Sequence, residues 1–342
     1  DTRPWYSMWR FIERSKMETV IEQLKNEAAL RHKMVVELFN YPTGSTDAKE
    51  ASVVVRNSSQ VRSLISACQV DGKIPHHPYY KWMGAHWVLS ILADLGYPKG
   101  DGSLLPIINQ AYDWLLGEKH LKQLRMINGR MRRCASQESN AVYYSLKLGL
   151  ADARTDELAA RLMKWQWPDG GWNCDKRPEV NQSSFMESLI PLRALTLYAQ
   201  TSGDKRIQQG CERAADVFLK RRLFMRQSNG SIMDPHFVLL HYPCYWHYDI
   251  LFSLKVMAEA GFLDDPRCQP ALDLLEGLRL PDGGFPAVEK FYRLSRPDIS
   301  GYSDVNWGGI SKKKFNPYVT VDALSVLRMA GRLKLEAFKT SF

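Results

Sequence analysis

What the sequence lacks narrows the field first. No apolar run in its 342 residues approaches the roughly 18 to 20 needed to span a bilayer, so the sequence predicts no membrane-crossing helix. The opening "DTRPWYSMWRF" has neither an apolar h-region nor a small-residue cleavage site, so no signal peptide is expected. Cysteine is sparse: Cys68, Cys134, Cys174, Cys211, Cys244 and Cys268 lie far apart and form no CxxC pair. Scattered thiols in a long chain predict a reduced, cytoplasmic protein in place of a disulfide framework. Strand-like alternation of apolar and polar residues is nearly absent too.

What is present is a moderate basic excess, with 46 Lys and Arg against 37 Asp and Glu, a net charge of +9. Such a balance favours anionic partners: a phosphate, an acidic substrate, or peripheral contact with a membrane surface. The basic residues form short patches such as "NGRMRR" and "KRR", and no nucleic-acid motif accompanies them, so no nucleic acid is expected. Solubility alone is a simpler use for the same charge. At 45% hydrophobic content, the chain can bury a large core.

A short turn recurs along the chain. "PDGG" at Asp169-Gly170 returns at Asp282-Gly283, with weaker copies at Asp71-Gly72, Asn128-Gly129 and Asn229-Gly230. The copies stand about 40 to 60 residues apart, and a period of that length signals a repeat architecture. Before each turn lies a charged, helix-like stretch such as "ELAARLMKWQW". After it comes a more apolar one ending near Gly, such as "SFMESLIPLRALTLYAQTSG". Glycine admits positive φ, and an Asp or Asn side chain satisfies turn amides, so the chain reverses there.

Polar outer helices alternating with apolar inner ones predict an all-α fold, an α/α toroid of about five to six helix pairs; an open solenoid is the alternative. Residues 51–342 would form the toroid. Residues 1–50 carry no copy of the turn. Trp5, Trp9, Ile12, Val20, Leu24, Ala28, Val35 and Leu38 suggest an N-terminal helical extension, packed on the ring or standing in for part of a sixth pair.

The stretch "LMKWQWPDGGW", Leu162 to Trp172, resembles the QW motif of the squalene-hopene and oxidosqualene cyclases. Gln166 and Trp172 match that motif's named residues. "PDGGWNCDKRP" is similar to the glycine-rich repeat of the protein prenyltransferase β subunits. The resemblance spans about residues 55 to 335 and implies an α/α toroid with a deep, aromatic-lined central cavity for isoprenoid chains. It also implies that Trp165, Gln166 and Trp172 fasten neighbouring helices. The chain departs from both families in its chemistry: it has neither DxDD nor DCTAE, and no Asp-x-Cys to complete a zinc triad with His247.

In a ring, the turns gather at one end, and polar residues early in the inner helices become candidates for function. Glu187, Asp249 and Asp322 sit within apolar helices, where burial raises a carboxyl pKa and makes a general acid or base. His86 and His247 are their candidate partners. Trp82, Glu138, Asn140, Tyr248, Tyr318 and Arg133 are candidate substrate-binding residues. Cys244 and His247, three apart, with His241 as a third ligand, could hold zinc, although no cofactor is required. Cys134, Cys174 or Cys244 could alternatively serve as a nucleophile activated by His86 or His247.

Together these residues predict an enzyme acting on an isoprenoid-like small molecule, with or without an anionic group, by proton transfer. Cyclisation, isomerisation and addition or loss of water all fit, as a lyase or isomerase. The alternatives are a carbohydrate-active lyase or hydrolase on the same architecture, and a non-catalytic binding or scaffold protein.

Overall fold

The computed structural model describes residues 4–296 and 299–335, with side chains from residue 15 onward. The side chains of Trp5, Trp9 and Ile12 lie outside the described residues. The chain is all-α. Its helices are α1 (Pro4–Lys25), a π-helical turn (Lys33–Leu38), α2 (Thr46–Arg56), α3 (Ser59–Ile65), α4 (Ala85–Leu95), α5 (Leu105–Leu116), α6 (Glu118–Leu121), α7 (Ala135–Lys147), α8 (Ala153–Trp165), α9 (Phe185–Ser202), α10 (Lys205–Leu219), α11 (Ile250–Glu259), α12 (Gln269–Gly277) and α13 (Pro317–Met329). The one sheet among the described residues is a hairpin pairing Met126–Ile127 with Arg130–Met131.

Helix pairs follow from their patterning. Along α10, Ile207, Cys211, Ala214, Ala215 and Phe218 are buried at helical spacing, and Asp204 caps the start by accepting from Arg206 N at 2.8 Å. By contrast α9 is buried almost continuously from Phe185 to Thr196, which requires neighbours on several sides. Those neighbours are α7, α8, α10 and α11.

The recurring turns share one hydrogen-bond pattern. Trp167 N donates to Gly171 O (2.8 Å) and Gly170 N to Trp167 O (2.9 Å); Leu280, Gly283 and Gly284 repeat this, as do Gln69, Gly72 and Lys73. At Asn229-Gly230 the loop is one residue wider, and Asn128-Gly129 is the tip of the hairpin. Gly170 has φ +105°, and a Cβ there would lie 2.2 Å from Arg213 O, so only glycine fits. Gln166 Nε2 donates to Gly170 O (2.7 Å) and Gly210 O (2.8 Å), while its Oε1 accepts from Arg213. Trp172 is buried and its Nε1 donates to Leu162 O at 2.9 Å. Gln166 thus fastens the turn to α10, and Trp172 fastens it to α8.

Inner helices pack in succession, α4 on α7, α7 on α9, α9 on α11, α11 on α13, and α13 on the 33–38 turn. Lys33 then reaches back to Asp94 of α4 at 2.8 Å. The contacts therefore run in a cycle, and the 33–38 segment, from the N-terminal 50 residues, is its sixth inner member.

Charged side chains meet inside that cycle. Lys33 and Lys255 both hold Asp322 (2.9 and 3.0 Å), Lys255 also reaches Glu37 (3.2 Å) and Asp94 (3.5 Å), and Arg193 joins Glu259 (2.7 Å) to Asp94 (3.4 Å). Burial alone would discharge the lysines. The carboxylates around them outweigh it and hold Lys33 and Lys255 above the ordinary lysine range. In turn the cations hold Asp94 well below the usual carboxylate range despite its burial.

Candidate functional site

The polar candidates divide into three groups. The first surrounds a small cavity, about 40 Å³, bounded by α4, α7, α9, α11, α13 and the His241–Tyr245 loop. Its wall includes Asn140, Tyr143, His241, Tyr242, Cys244 and Tyr245, with Arg193, Lys255, Asp94 and Asp322 from the ion network. Beside this small void, and sharing Tyr143, Arg193 and Lys255 with it, lies a wider pocket of about 260 Å³ between α7, α9, α11, α13 and the 33–38 turn.

Asp249 caps α11, accepting from Phe252 N at 2.7 Å, and also accepts from His241 N at 3.1 Å. Its carboxylate lies 3.0 Å from His241 Nδ1, both side chains being 1% exposed. Leu239 O lies 3.2 Å from the same nitrogen, so Nδ1 carries the proton and Nε2 is left as an acceptor. His241 Nε2 is buried with no protein partner, and so is Nδ2 of Asn140 on the same cavity wall. Burial lowers the His241 pKa, but Asp249, with a smaller contribution from Glu289, more than compensates, and the net shift is upward. Cys244 is an unsuitable nucleophile, since burial and the nearby carboxylates push its thiol far up.

Asp322, expected as an acid or base, is neutralised by Lys33 and Lys255. Asp249, expected in the same role, acts as a helix cap and as the orienting partner of His241. Neither His86 nor His247 charges near neutral pH, because burial lowers each to about 3. His86 Nδ1 lies 3.5 Å from the Tyr144 hydroxyl. The His247 ring is stacked between Phe291 (3.4 Å between centroids) and Trp246 (4.0 Å). Among the described residues, Cys244, His247 and His241 do not bring three ligand atoms together, so this expected zinc set is not assembled.

Several substrate-binding candidates are part of the packed interior. Trp82 stacks on Tyr245 at 3.8 Å and its Nε1 donates to Phe291 O at 2.7 Å. Tyr248 is buried against Phe185 and Phe237 and donates to Leu223 O. Tyr318 is buried against Tyr242. Asn140 keeps a place on the cavity.

The second group is Arg133, Glu138 and His120. His120 Nε2 lies 2.8 Å from Glu138 Oε1, and the Arg133 guanidinium contacts both residues and Gln137. His120 borders an open groove of about 640 Å³, with His77, Gln110, Asp113, Trp114 and Glu118 around it. The third group joins Glu187 to Cys134 and Cys174 at the turn end of α7 and α9.

No family model matches the chain, and it matches no curated protein and no solved structure.

Three features escape the sequence pattern. His120 lies on a short outer helix with nothing local to mark it. Lys33 and Asp322 are 289 residues apart. Cys134 and Cys174 carried a signal that could have been used: they follow their turns at Asn128 and Asp169 by nearly equal intervals, so adjacent repeats set them side by side.

Proposed function

We propose that the chain is an enzyme that moves protons on a small molecule bound at the cavity inside the helix cycle, with the helix pairs closed as an α/α toroid. His241 is the base, Asp249 orients it and stabilises its charged form, and Asn140 positions the substrate. What carries this reading is one arrangement: a buried carboxylate holds one imidazole nitrogen of a residue that lines the cavity, and the other nitrogen is buried without a protein partner. That is the logic by which a neutral imidazole becomes a general base. The QW-like turns favour an isoprenoid-like substrate. The tyrosine-rich wall suits developing positive charge, and Arg193 and Lys255 suit an anionic end. Binding of such a molecule requires the void to widen, since about 40 Å³ is far below the roughly 300 Å³ of a small ligand site.

A carbohydrate-active lyase or hydrolase is the second reading, and the groove favours it. Its lining combines Trp114 with Gln110, Asp113, Glu118 and His77, residue types suited to stacking on and hydrogen-bonding a sugar.

The test offers polyprenols, polyprenyl diphosphates and oligosaccharides to the wild type and follows products by mass spectrometry. With a substrate found, His241→Asn should lower kcat by about 10²- to 10⁴-fold, the usual worth of a general base. The wild-type rate should rise with pH through the His241 pKa, above the ordinary 6.5, because only the neutral ring accepts a proton. Turnover untouched by His241→Asn would sink the assignment. Turnover of oligosaccharides that is lost with Trp114→Ala and kept with His241→Asn would move the site to the groove.

A further inference from the structure

Two thiols and a carboxylate converge where α7 and α9 begin. Cys134 immediately precedes α7, Cys174 lies in the loop after the Asp169-Gly170 turn, and Glu187 is in the first turn of α9. One ligand atom from each lies within 4.8 Å of the other two.

The backbone builds this meeting. Arg132 and Asn173 form a parallel bridge between the two loops. The Arg132 guanidinium ties them further, donating to Asp175 O (3.1 Å) and Val180 O (2.8 Å) while lying 4.5 Å over the Trp167 ring. Glu187 is oriented as well: Ser136 N donates to its Oε2 at 3.1 Å, and Cys174 Sγ to its Oε1 at 3.6 Å. The bond from Ser136, which is not itself a ligand, is of the outer kind that fixes the direction of a metal-binding carboxylate.

Glu187 also differs from the carboxylates of the ion network. It is 8% exposed and makes no ion pair among the described residues, whereas Asp94, Asp322 and Glu259 each hold a lysine or arginine. Burial raises its pKa, and the Cys134 thiol is pushed up by its hydrogen bond to Cys174, by burial and by Glu187.

We propose that Cys134, Cys174 and Glu187 bind a zinc ion. Two sulfurs with one carboxylate oxygen match zinc, whereas magnesium and calcium take oxygen ligands. Binding displaces the two thiol protons to solvent, and two thiolates with the Glu187 carboxylate around Zn²⁺ leave a filled site of net charge −1, with Arg133 beside Cys134. Three protein ligands leave the fourth tetrahedral position to water or substrate, as in catalytic zinc sites. This inference is independent of the His241 reading, because it is tested by metal alone.

The test uses the full chain, reduced, stripped with chelator and titrated with Co²⁺. A thiolate-to-cobalt charge-transfer band should grow to saturation at a single equivalent and vanish on adding Zn²⁺. Cys134→Ser and Cys174→Ser should each weaken cobalt binding by more than the roughly 10- to 100-fold that loss of an outer-shell partner brings. Glu187→Gln should keep the band with weaker affinity, and Cys244→Ser should change nothing. The wild-type titration needs no variant to fold. Absence of the band in reduced wild type, or its survival in both serine variants, would overturn the site. So would a Cys134–Cys174 disulfide that forms under saturating Zn²⁺ and blocks uptake.

Discussion

Asp322→Ala is expected to lower stability by about 3–5 kcal/mol, the range for removing one partner of a buried ion pair. Its carboxylate is 2.9 Å from Lys33 and 3.0 Å from Lys255, and both lysines are buried. Without it, two buried ammonium groups share Asp94 and Glu37. The effect spreads because the lysines belong to different members of the cycle, one to the 33–38 turn and one to α11. Glu157→Ala is the control. Glu157 pairs with Arg161 at the surface, 52% exposed, and such pairs contribute at most about 1 kcal/mol. Urea unfolding at neutral pH reads both. Equal losses would mean that the ion network does not bind the inner helices together.

Trp172→Ala is expected to lower stability by a similar amount, about 3–5 kcal/mol for a large aromatic removed from a packed core. The side chain is 1% exposed, its indole nitrogen donates to Leu162 O, and its backbone N donates to the hydroxyl oxygen of Ser188 in α9. Removing the ring leaves a void between α8 and the turn and strands the Leu162 acceptor. Trp172→Phe, which keeps most of the volume and loses only the indole hydrogen bond, should recover more than half of the loss. No difference between the two variants would mean that the turn, not the ring, holds these helices in register.

The repeat was legible because its parts are local. Asp-Gly at fixed offsets, helical spacing and the Gln166–Trp172 pair all lie within one unit, and the hydrogen bonds of the turns reproduce that pattern. The site was legible only in part. Asp249, His241 and Asn140 stood out as polar residues at inner-helix starts, yet nothing in sequence distinguishes a carboxylate that caps a helix from one that orients an imidazole; Asp249 does both. Asp322 looked like an acid because its lysines, Lys33 and Lys255, lie far away in sequence. Cys134, Cys174 and Glu187 come from two adjacent repeats, so their proximity depends on how neighbouring loops pair. The expected width of the interior depended on side chains whose packing periodicity does not encode.

The state of His241 tests the proposed chemistry most directly, by long-range ¹H–¹⁵N spectra recorded against pH and assigned with the His241→Asn variant. The ring should be neutral at high pH with its proton on Nδ1, held by Asp249, and should titrate above the ordinary 6.5. The sign follows for stability: a pKa raised in the folded state contributes fully below 6.5 and fades as pH climbs through the folded value. A ring that titrates below 6.5, or that carries its proton on Nε2, would contradict the base assignment.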